Sequence, residues 1–291
     1  MNLLFLIGTG RCGSSFVHEV IVGHKDVGFI SNIDDNLSRL NLMGKYNNAL
    51  YRGGSGKFTA KGKLRFAPSE AYKLIGDKVS PIYRAPSRDL VSSDVTPWLK
   101  EKFESFFENR SLAQNKVLFS HKYTGWSRIG FFHEVFPQAR FIHVVRDGRA
   151  VANSWLQMPW WGGYSGPEHW PWGTLPENFQ LEWERGGYSY TLLAAICWKM
   201  LMESYELAAS SISADQIMTI RYEDFLAEPR EVISQCLSFG GLQWTNRYER
   251  YFKNQYVNQL RAQSFRGELS EQQLNVMQKS IQKVLTRYQY D

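Results

Sequence analysis

The sequence is poor in cysteine. Its 291 residues hold Cys12, Cys197 and Cys236 and no others. They are odd in number, far apart and form no CxxC pair, which excludes a disulfide framework and a zinc ribbon and points to a reducing compartment. No apolar run approaches the ~20 residues that a membrane span needs. The run Leu3–Ile7 lacks a preceding basic region and is too short for a signal peptide, so it reads as a buried strand and the protein as cytoplasmic. There is no internal repeat and no low-complexity tract. No histidine pattern has ligand spacing: His18-Glu19 would need a histidine where Val22 stands, so no metal is expected.

What is present is ordinary globular composition, with 43% hydrophobic and 21% charged residues. The net charge is +6 and the pI near 9.1, which suits an anionic ligand without demanding nucleic acid. Short apolar runs at 3–7, 117–119, 141–145 and 217–220 alternate with helical stretches at 14–22, at 148–156, from about 177 to 210, and after Glu228. That alternation predicts an α/β fold with a central parallel sheet flanked by helices. A single domain over 1–291 is expected, with two insertions. The first, about 45–97, is basic and loop-rich: Lys45 to Arg88 holds ten Lys or Arg against Glu70 and Asp77, a net +8. It reads either as a solvated excursion or as a basic rim over an anionic substrate. The second, about 155–183, is a tryptophan-rich loop. Its rings either pack the loop down or wall an acceptor pocket.

The most informative segment is Gly8-Thr9-Gly10-Arg11-Cys12-Gly13-Ser14-Ser15, a glycine-rich turn between the first strand and the first helix. Gly8, Gly13 and Ser15 match a nucleotide P-loop, but Ser14 stands where that loop has its lysine. Glycines and helix amides still suit a phosphate, and Arg11 supplies a cation earlier in the loop. A triphosphate terminus is disfavoured. A second anion site is expected at Arg146, at the carboxyl end of the third long run. Ser154, eight residues on, would join it only if the helix folds back over the strand end. Two phosphate sites suggest a ligand with phosphate at both ends.

These motifs resemble those of the PAPS-dependent sulfotransferase family. Thr9 to Ser15 is similar to its 5′-phosphosulfate loop, and Arg146 to Ser154 to its 3′-phosphate motif. Phe136 to Asp147 resembles the stretch before that motif in bacterial and protein-modifying members. Arg221-Tyr222-Glu223-Asp224-Phe225 is similar to its Tyr-Glu-Asp box, and Arg266-Gly267-Glu268-Leu269-Ser270 to its ending. The resemblance implies a P-loop-like, nucleotide-kinase-like fold and 3′-phosphoadenosine 5′-phosphosulfate (PAPS) as sulfuryl donor, leaving PAP and using no metal. Gly10, Arg11, Cys12, Gly13, Ser14 and Ser15 would hold the 5′ side. Arg146, Ser154 and Arg266 would hold the 3′-phosphate, and Tyr222 would meet the adenine. The implied acceptor is a hydroxyl or amine of a carbohydrate, glycolipid or small molecule.

In-line sulfuryl transfer needs cations near the leaving oxygen and a base for the acceptor. Arg11 and Lys122 are the cation candidates. His121, after the second apolar run, is the first choice of base, with strand-end capping as its structural alternative. Asp34 and Asp35 lie roughly where protein- and sugar-modifying members carry a catalytic acid, and read otherwise as helix caps. A degenerate P-loop kinase and a non-enzymatic polyanion-binding protein are the rival functions.

Overall fold

The computed structural model describes residues 1–54, 65–84, 86–255 and 265–290. Five parallel strands form one sheet: β1 (Leu3–Gly8), β2 (Val27–Gly28), β3 (Leu118–Thr124), β4 (Arg140–Val145) and β5 (Ile217–Arg221). Their spatial order is β2-β3-β1-β4-β5. β1 lies at the centre and pairs with β3 on one side and β4 on the other. All six of its residues are buried, as expected for a strand covered on both faces.

Side-chain alternation divides the core into two layers. Leu4 and Leu6 join Ile142 and Val144 on the face that packs α1 (Ser14–Val22) through Val17, Val20 and Ile21. Leu3, Phe5 and Ile7 join Phe119, Tyr123 and Phe141 on the other face, against Phe103, Phe107 and Phe132.

The structure corrects three boundaries. β3 continues through Thr124 instead of ending near Phe119, so Ser120, His121 and Lys122 are buried inside the strand and not beyond it. The helical stretch from 177 to 210 is two helices, Glu177–Arg185 and Tyr190–Ala209. Gly187 (φ 67°) and Tyr188 (φ 59°) are left-handed at the break, and Ser189 restarts the helix by accepting from Leu192 N. The basic stretch is not simply loop: it contains helices Asn47–Arg52 and Tyr72–Lys78. Its Lys57, Lys61 and Lys63 lie outside the described residues.

Candidate active site

The chain turns sharply after β1. Gly10 (φ 82°), Arg11 (φ 57°) and Gly13 (φ 89°) take left-handed backbone, which curls the loop into a concave turn ending on the first amides of α1. No side chain caps α1 at Gly13. The start of the helix and its dipole are therefore suited to an anion. Gly13 has no room for a side chain, because a Cβ there would lie 2.2 Å from the Tyr222 ring. Cys12 is fully buried in the core and does not line the cleft.

The second anion motif meets the first. Arg146, just after β4, donates through Nη1 to the Arg11 carbonyl at 3.1 Å, and its guanidinium carbon lies 5.3 Å from the centre of the Tyr222 ring. The helix Gly148–Leu156 folds back over the strand ends, and Arg11 Nε donates to Ser154 Oγ at 2.9 Å. Gly10, Arg11, Gly13, Ser14, Ser15, Arg146, Ser154 and Tyr222 thus line one cleft of about 740 Å³. Arg266 is exposed on a short segment, Phe265–Glu268, and does not line the cleft. Its neighbours Phe265 and Glu268 do. Glu268 accepts from Asn153 Nδ2 (2.6 Å) and Gln157 Nε2 (2.8 Å).

The other end of the cleft is built on β3. Lys122 Nζ donates to Ser15 Oγ at 3.0 Å and forms an ion pair with Glu70. It stands just behind the lining. Thr124 Oγ1 lies 3.3 Å from each Glu70 oxygen, and the Tyr72 hydroxyl donates to the Thr124 carbonyl at 3.0 Å. Burial pulls the Glu70 pKa upward, but Lys122, Tyr72 and Thr124 outweigh it and hold the carboxyl below its ordinary value. Glu70 and Tyr72 line the cleft. Neither stood out in the sequence: Glu70 is one of two acids in a basic, Gly/Ser-rich stretch, and the signal that singles it out is the tertiary approach of Lys122.

The three base candidates lie elsewhere. His121 is fully buried on the opposite face of β3, packed against Phe5, Phe107 and Tyr83 and hydrogen-bonded at 2.9 Å to the Tyr83 hydroxyl. Burial, with Lys122 and Arg128 nearby, pushes its pKa down to about 3. Asp34 closes a capping box with Ser31 and accepts from Asn47 Nδ2. Asp35 accepts from Leu74 N at 2.8 Å and Ser69 Oγ at 3.2 Å. None of the three lines the cleft.

The tryptophans divide between both readings. Trp155, Trp161 and Trp198 are fully buried packing residues. Trp160 and Trp172 line the cleft, with Trp172 packed 4.9 Å from Trp155. Among the described residues, no group of three or more His, Cys, Asp or Glu could hold a metal ion, and no helix is long and apolar enough to cross a membrane.

An all-parallel sheet with a glycine-rich turn between its central strand and the next helix defines a P-loop-like fold. Residues 4–246 match the model of a sulfotransferase family, and the chain belongs to that family. The fold is similar to three solved structures. Sulfotransferase STF9 from Mycobacterium avium has a TM-score of 0.59 at 14% identity, covering 100% of this chain and 77% of that one. The sulfotransferase domain from the curacin biosynthetic pathway has a TM-score of 0.55 at 13% identity, covering 99% and 97%. The sulfotransferase domain of the Synechococcus PCC 7002 olefin synthase has a TM-score of 0.51 at 16% identity, covering 100% and 95%. No curated protein sequence matches the chain. Family and fold together support sulfuryl transfer as the activity.

Proposed function

We propose that this protein, as one domain, moves the sulfuryl group of PAPS to a hydroxyl of a small organic acceptor. The observation that carries this reading is the joining of two anion motifs 135 residues apart, through Arg146 and the Arg11 carbonyl. A ligand with phosphate at both ends needs such a pair, and a triphosphate-binding loop would need a lysine where Ser14 stands. The residues present fit the donor: the cradle at Gly13 admits no side chain, and it opens between Arg11 and Ser15.

In this reading the α1 amides, Arg11, Ser14 and Ser15 hold the 5′ side. Arg146 and Ser154 hold the 3′-phosphate, and Tyr222 flanks the adenine. Bound PAPS would supply the sulfuryl group. Glu70 accepts the acceptor's proton, a role assigned to it rather than to His121, Asp34 or Asp35 because it lines the cleft and they do not. Lys122 keeps Glu70 ionised and holds Ser15 in place, and Arg11 faces the negative charge that develops on departure. The aromatic surface of Trp160 and Trp172 suits the flat face of an aromatic or sugar ring.

The test is calorimetric titration with 3′,5′-adenosine bisphosphate and with ATP, each with and without Mg²⁺. Metal-independent binding of the bisphosphate, with weak ATP binding, is expected. Preference for ATP with Mg²⁺ would favour a kinase. Binding of neither, with affinity for polyanions that falls steeply with salt, would favour a polyanion-binding protein.

A further inference from the structure

We propose that Arg128 is the acceptor-recognition residue of the cleft and that the acceptor is a hydroxylated carboxylate, its hydroxyl at Glu70 and its carboxylate on the Arg128 guanidinium. This inference rests on the donor reading above.

Arg128 lines the cleft while only 3% exposed. A buried guanidinium normally has a carboxylate partner, because taking the charge out of water is costly. Among the described residues Arg128 has no ion pair of the usual length. Its Nε and Nη1 have no hydrogen-bond acceptor. The rings of Tyr72, Tyr83 and Tyr123 surround it instead, at 6.0, 5.3 and 5.4 Å from its guanidinium carbon. Ring faces compensate a cation only in part, and they leave Nε and Nη1 unsatisfied.

The two nearby acids are otherwise occupied. Glu70 is paired with Lys122. Asp89 takes the Arg128 backbone N–H at 2.7 Å and the hydroxyls of Ser127 and Ser204, not the guanidinium. That tether holds Arg128 at φ 48°, a left-handed conformation unusual for a residue with a side chain. The side chain is thus fixed at its root, enclosed by rings, hydrogen-bonded to Tyr72 and without an acceptor at Nε and Nη1. A guanidinium in that state is matched by a planar carboxylate, which takes two parallel N–H bonds.

Tyr72 sets the spacing. Its hydroxyl bonds Thr124, which in turn bonds Glu70, and its ring faces Arg128. Tyr72 also hydrogen-bonds the Arg128 guanidinium, so this one tyrosine lies beside both of the acceptor's groups. The body between them meets the cleft-lining face of Trp172 and Trp160.

The experiment compares para-hydroxyphenylpropanoate and omega-hydroxyhexanoate with their methyl esters. Each is tested as a PAPS acceptor, with sulfated product quantified by mass spectrometry, and as a calorimetric titrant of the PAP complex. At least one acid is expected to exceed its ester by about tenfold or more in kcat/KM and in affinity, because the ester leaves the buried cation unpaired. Arg128→Met should bring that ratio toward one while PAP still binds, and Arg128→Lys should fall between. Acids and esters of equal standing overturn the proposal, and so does an Arg128→Met protein that keeps the preference. PAP binding with neither acid bound rejects the hydroxy-carboxylate class while leaving the donor reading intact. Failure of PAP itself to bind removes the donor reading first, and this inference with it. The acid-ester comparison uses the unaltered protein, so a variant that does not fold leaves the test in force.

Discussion

The Lys122 ammonium donates to the Ser15 hydroxyl at 3.0 Å and pairs with the Glu70 carboxylate. One cation therefore joins the glycine-rich loop to an acid that lines the cleft. Lys122→Met should lower kcat by about a hundredfold or more while PAP affinity changes by about tenfold at most. Rapid-quench turnover and calorimetry on the same preparation separate the two effects. Unchanged turnover would make the ion pair purely structural.

Glu70→Gln removes the proposed proton acceptor and keeps the shape. A loss of about 10²–10⁴ in kcat is expected, with PAP binding retained. The Glu70 pKa is lowered in the folded protein, so the carboxylate is already ionised at neutral pH. Its contribution to stability is fully present above the ordinary value of 4.5 and is lost as pH falls through the lower folded value. The wild-type rate should accordingly show no Glu70 limb between about pH 6 and 8. A kcat that climbs tenfold across that window would contradict a lowered Glu70 pKa.

Arg146→Ala separates the ends of the donor. PAP affinity should fall by about tenfold to a hundredfold, the value of a charge-assisted phosphate contact. Adenosine 5′-monophosphate, which lacks the 3′ group, should lose about threefold or less. Equal losses for both nucleotides would move Arg146 away from the 3′ side.

Gly13→Ala is a backbone test. The new Cβ would meet the Tyr222 ring at 2.2 Å and the residue would stay at φ 89°. A cost of about 1–3 kcal/mol in stability is expected, together with weaker PAP binding. Thermal melts and titration read the two. A variant that matches wild type in both would mean the loop does not hold this shape in solution.

His18, His121 and His143 govern acid sensitivity. All three are buried, and burial lowers each pKa below 6.5, His121 and His143 to about 3. The unfolded chain binds these protons first as pH drops below 6.5, so acid favours unfolding. Each histidine contributes a slope of up to about 1.4 kcal/mol per pH unit between those values. Denaturant midpoints from pH 7 to 5 check this. His121→Ala should destabilise by about 2–4 kcal/mol, yet the folded enzyme should keep near-normal kcat. Abolished turnover in a folded His121→Ala protein would restore the histidine as base.

The centre of the sheet was legible because its strands are buried on both faces: the apolar runs Leu3–Ile7 and Phe141–Val145 fold as β1 and β4. The cradle was legible because the glycine spacing is a local backbone demand. β3 was misjudged at its polar end. Ser120, His121 and Lys122 look like the exit from a strand, but His18 satisfies the Ser120 hydroxyl, Tyr83 satisfies His121, and Glu70 pairs Lys122. With a side-chain period of two, Lys122 shares the α1 face and its neighbour His121 faces the aromatic layer. That one-residue distinction cannot be seen until the strand's length is known. β2 has two residues, too few for any pattern.

The cleft has walls of different origin. The strand ends, α1 and the helix Gly148–Leu156 form the side where Arg11, Arg146 and Ser154 interlock. Glu70, Tyr72, Trp160 and Trp172 come from the long inserted connections. The interlocked side resists piecemeal change, since altering one arginine disturbs its partner. Among the described residues, the connections carry no strand of the sheet. Exchanging them between related enzymes is thus a route to new sulfated products on an unaltered donor machine.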